Sequence, residues 1–135
     1  MLITSANIDN AGKLQDVRIK NGVFTEISDK LMPEPEEQVI NGRGKLLLPP
    51  FVDPHIHLDS TQTAGQGEWN ETGTLFDGIR IWAERKKTLT IEDIKQRAKT
   101  TIRRQVVHGV QFIRTHADVT DTTFTALHAL LELRD

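Results

Sequence analysis

The sequence contains no cysteine among its 135 residues. Disulfide bonds are therefore excluded, and so is every zinc site that uses a thiolate ligand. A metal site in this chain would need histidine or carboxylate ligands instead.

A large excess of charge of one sign is also missing. The formal net charge is -2, with 37% hydrophobic and 27% charged residues, which is typical of a soluble protein. Such a balance provides no basic surface for nucleic acid or for an anionic membrane. We therefore expect neither of these partners.

Long hydrophobic runs are absent as well. No apolar stretch approaches the ~18 residues of a membrane span. The start, Met1-Leu2-Ile3-Thr4, lacks the charged and apolar regions of a signal peptide. The default expectation is a cytoplasmic location.

The first part of the chain, to about Lys45, consists of short β-type runs separated by turn residues. Strands are predicted over residues 2–8, 15–20 and 23–28, with a turn at Asn10-Ala11-Gly12 between the first two. The clearest hairpin signal is Asn21-Gly22, because Asn-Gly accepts positive φ at both central positions of a type I′ turn. The pattern predicts a β-region without helix.

Residues 32–37 contain two prolines and three acidic residues and predict a solvated loop. Residues 39–40 and 45–48 then predict another pair of strands, joined by the turn Asn41-Gly42-Arg43-Gly44. Pro49-Pro50 marks the expected end of this β-region. We predict a first region of residues 1–48 and a second of residues 49–135.

The second region alternates strand and helix patterns. Helices are predicted from Thr74 to about Lys86 and from Thr90 to Gly109, followed by a β-type run over residues 110–115. Strand, helix and strand in this order predict a parallel unit of an α/β protein. The predicted buried faces are Leu75, Ile79 and Trp82; Ile91, Ile94, Ala98, Ile102 and Val106; and, in a third helix, Phe124, Leu127, Leu130 and Leu131. Arg97, Arg103 and Arg104 are predicted to form a solvated face.

His55 and His57 lie two residues apart at the end of an apolar run. Alternate strand residues point to the same side, about 7 Å apart, so both imidazoles can reach one metal ion while Ile56 faces the opposite layer. The alternative is a pair of surface histidines at a strand edge. A bare His-x-His motif does not decide between the two, but its flanking residues favour the metal site.

The run Pro49-x-Phe51-Val52-Asp53-x-His55-x-His57 resembles the first-strand signature of the amidohydrolase superfamily. Its flanks are similar to bacterial cytosine deaminases in five stretches: His55 to Gln66, Trp69-Asn70, Gly73 to Phe76, Trp82 to Lys86, and Arg114 to Val119. The resemblance is specific from about Leu46 onward and general before it. Pro50 departs from the glycine of most superfamily members, but cytosine deaminases resemble this chain in having Pro-Pro.

This resemblance implies a metal-dependent (β/α)8 barrel preceded by a small β-sandwich region. The barrel alone needs about 250 residues, so the chain would hold residues 1–48 of the sandwich and, in residues 49–135, the first two strand-helix units. The implied enzyme is an aminohydrolase. Water activated by one divalent ion, Fe(II) or Zn(II), attacks the amidine carbon of a pyrimidine-like ring, and ammonia leaves.

Within the resemblance, His55 and His57 are metal ligands, and Gln62 and Leu75 are candidates for the substrate pocket. The alternatives are that Gln62 is satisfied by its own loop and that Leu75 is a core leucine. Trp69 either stacks on a planar ring or anchors the loop after His57.

His116 and Asp118 are candidates for orienting a ligand histidine. Alternatively, Asp118, Thr120 or Asp121 caps the third helix. The other metal ligands and the acid/base residues are implied to come from later strands, so the catalytic residues are unknown and lie beyond Asp135.

Other functions stay open at this stage. A hydrolase of isocytosine, creatinine or another cyclic amide would share the same residues, and so would a truncated, non-catalytic relative. A free-standing binding module is disfavoured, because two barrel strands alone leave open sheet edges. We expect this stretch by itself to be inactive and to need the remainder of its barrel or self-association. For the full-length parent we expect a homo-oligomer acting on a small pyrimidine-like substrate.

Overall fold

The computed structural model describes residues 1–8 and 12–134. Two compact units are found, Met1–Pro49 and Pro50–Asp135. Asn10 and Ala11 of the predicted first turn lie outside the described residues. No helix in the described ranges is long and apolar enough to cross a membrane.

The first unit is a five-stranded sheet. Its strands are β1 (Leu2–Ile8), β2 (Leu14–Lys20), β3 (Val23–Ser28), β4 (Val39–Asn41) and β5 (Leu46–Leu47). The order is β3-β2-β1-β4, with antiparallel pairing of β1 with β2 and of β2 with β3. Asn21 and Gly22 join β2 to β3 with φ of 53° and 78°. The predicted type I′ hairpin is confirmed, since both central residues have positive φ.

The prediction that the last two strands of this unit pair with each other is wrong. Both β4 and β5 run parallel to β1. Between them the Gly42 amide donates to the Thr4 carbonyl at 2.7 Å. A Cβ at Gly42 would lie 3.0 Å from that oxygen, so this glycine permits a close approach to β1 instead of a tight hairpin.

The loop of residues 32–37 has no regular structure, as predicted, but it is tied to the sheet. The buried Arg18 of β2 donates to Glu37 at 3.1 Å, to Glu26 at 2.6 Å and to the Met32 carbonyl at 2.6 Å. The Arg18 hydrogen bond, followed by one from the Glu34 amide, lowers the pKa of Glu37 from 4.5 to about 2. The acidic residues of this loop therefore hold a buried guanidinium.

The second unit combines a pair of parallel strands with three helices. Its elements are β6 (Phe51–Ile56), α1 (Leu75–Lys86), α2 (Ile91–Val107), β7 (Val110–Thr115) and α3 (Thr125–Arg134). β6 and β7 pair in parallel, and the chain between them runs through α1 and α2. The predicted strand, helix and strand order is confirmed.

The helix boundaries follow the sequence signals. Thr74 caps α1 by accepting from the Asp77 amide at 3.3 Å, and Thr90 caps α2 by accepting from the Asp93 amide at 3.2 Å. Gly109, with φ of 88°, follows the end of α2, where a left-handed conformation favours glycine.

The core of this unit lies where α2, α3 and the strand ends meet. One cluster contains Leu58, Ala98 and Leu130 with Ile56, Ile102, Ile113, Ala117 and Leu133; a second contains Ile94, Ala126 and Ala129 with Leu89 and Ile91. The predicted buried face of α3 is wrong except for Leu130, because the small Ala126 and Ala129 face α2. Leu127 and Leu131 stay 36% and 40% exposed.

Further burial predictions fail, among them that of Val106 in α2, which is 53% exposed. Helix α1 has no buried residue, and Leu75 is 75% exposed, so it is not a core leucine of this unit. Arg97, predicted on a solvated face, is only 6% exposed, and its guanidinium bonds the loop after β6. Hydrophobic spacing cannot reveal such a cation, because a charged group is buried only when partners elsewhere in the chain are present.

Candidate active site

Three histidine rings meet at the carboxyl ends of β6 and β7. His55 belongs to β6, and His57 and His116 directly follow β6 and β7. The ring centroids of His55 and His57 are 5.5 Å apart, and His116 stacks on His55 at 4.1 Å with an interplanar angle of 20°. The strand register explains this meeting, because the His116 amide donates to the Ile56 carbonyl at 2.8 Å.

The two predicted ligands face away from the core. His55 and His57 are exposed, and the intervening Ile56 packs against the cluster around Leu58. This is the alternation expected for a strand with one buried face.

A metal ion fits this pair as an incomplete ligand set. Two imidazoles bound to one tetrahedral ion at about 2.0–2.1 Å have centroids about 5 Å apart, close to the 5.5 Å between His55 and His57. Residues 1–8 and 12–134 contain no group of three or more His, Asp or Glu side chains arranged to hold a metal ion. The described residues provide two ligands, His55 and His57, and the remaining ligands would come from residues outside the described ranges.

His116 contacts the pair by stacking. Its Nδ1 is buried without a hydrogen-bond partner among the described residues. Burial, followed by the charges of His55 and Arg114, lowers the pKa of His116, which favours a neutral ring beside the two predicted ligands. Its proposed role in orienting a ligand histidine stays a prediction.

Asp118 joins α1 to the end of β7. Its carboxylate accepts from Trp82 Nε1 at 2.8 Å and from Lys86 Nζ at 2.9 Å. Burial raises the pKa of Asp118, but the hydrogen bonds from Thr120, Lys86 and Trp82 outweigh it and hold the pKa well below its usual range. Among the described residues, the Asp118 side chain binds Trp82, Lys86 and Thr120 and no amide of the first turn of α3, which begins at Thr125. Asp118 therefore does not cap the third helix. Asp121 accepts from the Phe124 amide, one residue before that helix begins.

Asp59 was not predicted from the sequence as a site residue. Its side chain is fully buried, and its Oδ2 accepts from the Asp118 amide at 2.8 Å. The other oxygen, Oδ1, has no hydrogen-bond partner among the described residues and lies 3.7 Å from His57 Nδ1. The available signal was spacing, because Asp59 continues the two-residue alternation of His55 and His57.

The pocket candidates from the loop after His57 do not face the histidines. Gln62 donates to Thr101 and accepts from Arg104, both on α2 and both at 3.2 Å. Trp69 is 70% exposed and lies against Gly65, where a Cβ would come within 3.6 Å of the indole. The Gln62 side chain is thus satisfied by α2 and not by its own loop, while the contact of Trp69 with Gly65 favours an anchoring role for Trp69. The substrate roles of Gln62 and Leu75 stay predictions.

A groove of 910 Å³ opens beside His57. Its walls come from the loop after β6, from α1 and from the loop after β7, and they include Asp59, Trp82, Lys86 and Asp118. Its volume lies within the range of about 300–1,000 Å³ that small-molecule sites occupy. A polar ligand beside His57 would find both charged and apolar walls there.

Comparison with known proteins places this geometry in context. The chain is 44% identical to 5-methylcytosine deaminase from Klebsiella pneumoniae, whose crystal structure with 5-fluorocytosine superimposes with a TM-score of 0.90 over 99% of this chain and 33% of that one. N-isopropylammelide isopropylaminohydrolase from Burkholderia multivorans ATCC 17616 matches at 26% identity and a TM-score of 0.79, over 98% of this chain and 33% of that one. N-isopropylammelide isopropyl amidohydrolase from Pseudomonas sp. (strain ADP) is 29% identical over 100% of this chain and 34% of its own length.

The chain thus spans about a third of the length of these relatives. Its fold is the corresponding mixed α/β portion of amidohydrolase enzymes. The model of the amidohydrolase family matches residues 38–132, which include β6, β7 and the three histidines at their ends. The predicted relationship is confirmed, and the chain belongs to the amidohydrolase family.

Proposed function

We propose that the complete protein is a metal-dependent hydrolase that deaminates cytosine or a similar cyclic amidine and releases ammonia. One observation carries this proposal. Two exposed imidazoles, His55 and His57, lie 5.5 Å apart, and His57 lines a groove, in a chain that is 44% identical over 99% of its length to a 5-methylcytosine deaminase. Lower identities to the isopropylaminohydrolase relatives favour a pyrimidine ring over the substrate class of those enzymes.

The architecture proposed for the complete protein is a (β/α)8 barrel with a small β-sandwich region. Residues 1–48 would belong to the sandwich, and residues 49–135 would form the first two strand-helix units. Support comes from the parallel pairing of β6 and β7 and from the position of the histidines at the strand ends. Active sites of such barrels lie at the carboxyl ends of the strands.

The proposed roles follow from the contacts. His55 and His57 would bind one Fe(II) or Zn(II) ion, and other strands would supply the remaining ligands and the acid/base residues. Such an ion supplies Lewis acidity and a water of lowered pKa. The groove beside His57 would admit the planar ring, and its Asp59, Trp82 and Asp118 side chains would limit the access of bulk water.

The test is ligand removal in the complete protein. We expect His55→Ala and His57→Ala to reduce metal content to less than about a tenth and to abolish ammonia release from cytosine, because each removes an imidazole ligand. His128→Ala is the matched control, because His128 is an exposed histidine of α3. Normal metal occupancy in both ligand variants would contradict the proposal.

The substrate is tested with a panel. Ammonia release is measured with cytosine, 5-methylcytosine, isocytosine and creatinine. We expect the highest kcat/KM with one of the first two. If creatinine or isocytosine is preferred, the protein is still a hydrolase, but the proposed substrate is wrong. A protein that binds no metal and turns over none of these substrates would be a non-catalytic relative. Mass in solution would test whether the complete protein is a homo-oligomer.

A further inference from the structure

We propose that Asp59 is a positioning residue that holds the His57 imidazole with its proton on Nδ1, so that Nε2 remains free for a metal ion. The inference rests on the proposed metal-binding role of His57. Its basis is the unsatisfied carboxylate oxygen beside that ring.

The carboxylate of Asp59 is buried with one oxygen unpaired. Asp59 has no exposed surface, and Oδ1 finds no hydrogen-bond donor among the described residues. An unsatisfied buried polar atom destabilises the fold, and more so when it is charged. The unpaired Oδ1 of Asp59 therefore indicates that a hydrogen-bond donor reaches it when the site is functional.

His57 is the donor within reach. Its Nδ1 lies 3.7 Å from Asp59 Oδ1, about 0.8 Å longer than a charge-assisted N–H···O bond. The His57 side chain is 47% exposed, so its ring can rotate. A small rotation toward Asp59 closes the gap. Metal-binding histidines commonly donate their second ring nitrogen to a carboxylate, which fixes the tautomer and the ring orientation.

The position of Asp59 is fixed independently of His57. Arg97 donates to the Asp59 carbonyl at 2.7 Å, and Asp93 holds the Arg97 guanidinium at 2.9 Å. The Asp118 amide binds Asp59 Oδ2 at 2.8 Å. Helix α2 and the end of β7 thus hold the carboxylate rigidly, with only Oδ1 directed at the imidazole.

Asp59→Asn separates positioning from a purely structural role. The amide oxygen of asparagine can still accept from the Asp118 amide, so the contact that joins the two strand ends persists. The amide nitrogen then replaces Oδ1 opposite His57 Nδ1. Because that nitrogen is a donor, it favours an unprotonated Nδ1 and moves the imidazole proton to Nε2.

The first experiment needs no substitution of Asp59. Long-range proton–nitrogen NMR of the complete protein, metal-free and zinc-loaded, reports which nitrogen of His57 carries the proton, with the signal assigned by its loss in His57→Ala. We expect protonated Nδ1 in both states. A proton on Nε2 overturns the inference. The metal content of the same preparation is measured separately. Absence of metal would refute the proposed function, whereas the tautomer of His57 tests the positioning role of Asp59.

The second experiment compares Asp59→Asn with Asp121→Asn. Asp121 also accepts a backbone amide, that of Phe124, and serves as the matched control. We expect Asp59→Asn to move the His57 proton to Nε2 and to weaken zinc binding by about 10- to 100-fold, with the control unchanged. If Asp59→Asn is folded and both the tautomer and the zinc affinity are unchanged, the positioning role is refuted. If Asp59→Asn does not fold, the spectrum of the unmodified protein decides.

Discussion

At the scale of single residues, Arg97 is the main support of the histidine-bearing loop. Its guanidinium donates to the carbonyls of Asp59 and Thr61, both at 2.7 Å, and to the Asp93 carboxylate. Arginine suits this position because its planar fork presents several donors in fixed directions. The residue was predicted on a solvated face because α2 also carries Glu92 and Asp93, whereas the carbonyls that bury it lie 38 and 36 residues away in sequence.

We expect Arg97→Leu to lower the free energy of unfolding of the second unit by about 3–5 kcal/mol, because it leaves buried carbonyl groups and the Asp93 carboxylate without their donor. Arg103→Leu is the control: Arg103 is exposed on the same helix, and its loss should cost no more than about 0.5 kcal/mol. Urea unfolding of both variants in the complete protein measures the difference. Equal midpoints would show that the Arg97 contacts contribute little.

At the scale of elements, α1 is held mainly by polar contacts. It contains no buried residue, and several of its side chains bind outside the helix: Arg80 to Glu68, Trp82 and Lys86 to Asp118, and Arg85 to Asp93. Segments with few buried apolar contacts open at lower free energy than the core. Helix α1 should therefore exchange its amides faster than α2.

Trp82→Phe tests this attachment. The variant keeps an aromatic ring but removes the Nε1–H that binds Asp118. A hydrogen bond to a charged group contributes about 1.5–3 kcal/mol, so we expect amide exchange in α1 to accelerate roughly 10- to 100-fold while α2 is unchanged. Trp69→Phe is the control, because Trp69 lies 70% exposed in the preceding loop. Unchanged exchange in α1 after Trp82→Phe would show that other contacts hold this helix.

The contact between β2 and the acidic loop should make the first unit sensitive to acid. Hydrogen bonding from Arg18 lowers the pKa of Glu37 from 4.5 to about 2 in the folded state. A carboxyl with a lowered folded pKa stabilises the fold fully above its unfolded pKa, and this contribution is lost as the pH falls. The loss should occur between about pH 4.5 and pH 2.

Urea midpoints measured across this pH window check the expectation. Glu37→Gln should lower stability at pH 6 and reduce the dependence on pH below 4.5, because it removes the titrating carboxylate. Glu36→Gln, at the exposed neighbouring position, should leave both unchanged. A pH dependence that is identical in the two variants would contradict this role for Glu37.

At the scale of the whole molecule, large apolar side chains of the parallel strand pair are exposed. Phe51, Val52 and Phe112 are 61%, 60% and 60% exposed. Exposed apolar patches and open strand edges promote association with other chains. These surfaces are the ones that further barrel strands would cover in the proposed architecture.

We expect a polypeptide of these 135 residues alone to self-associate or to remain partly unfolded, to bind divalent metal weakly and to show no deaminase activity. The reason is the ligand count, because His55 and His57 supply only two of the three or four groups that a metal site needs. Mass in solution and ammonia release from cytosine with added iron or zinc are the measurements. A compact monomer with robust turnover would show that the active site is complete within this stretch.

The sequence alone determined the features that depend on neighbouring residues. Asn21-Gly22 defines its hairpin because both residues accept positive φ. Thr74 and Thr90 begin the helices, because each binds an amide three residues ahead. His55 and His57 could be placed on one side of a strand end from their spacing. Each signal spans only a few residues, so no distant partner was needed to recognise it.

Only the tertiary structure decided the features that depend on distant partners. Arg97 is buried because carbonyl groups 38 and 36 residues away accept its hydrogen bonds. Asp59 is held by an amide 59 residues away. The strands β4 and β5 both pair with β1, at residues 2–4 and 7–8, instead of with each other. Local pattern cannot rank such pairings, since their free energy comes from desolvation and hydrogen bonding that exist only after the chain has folded.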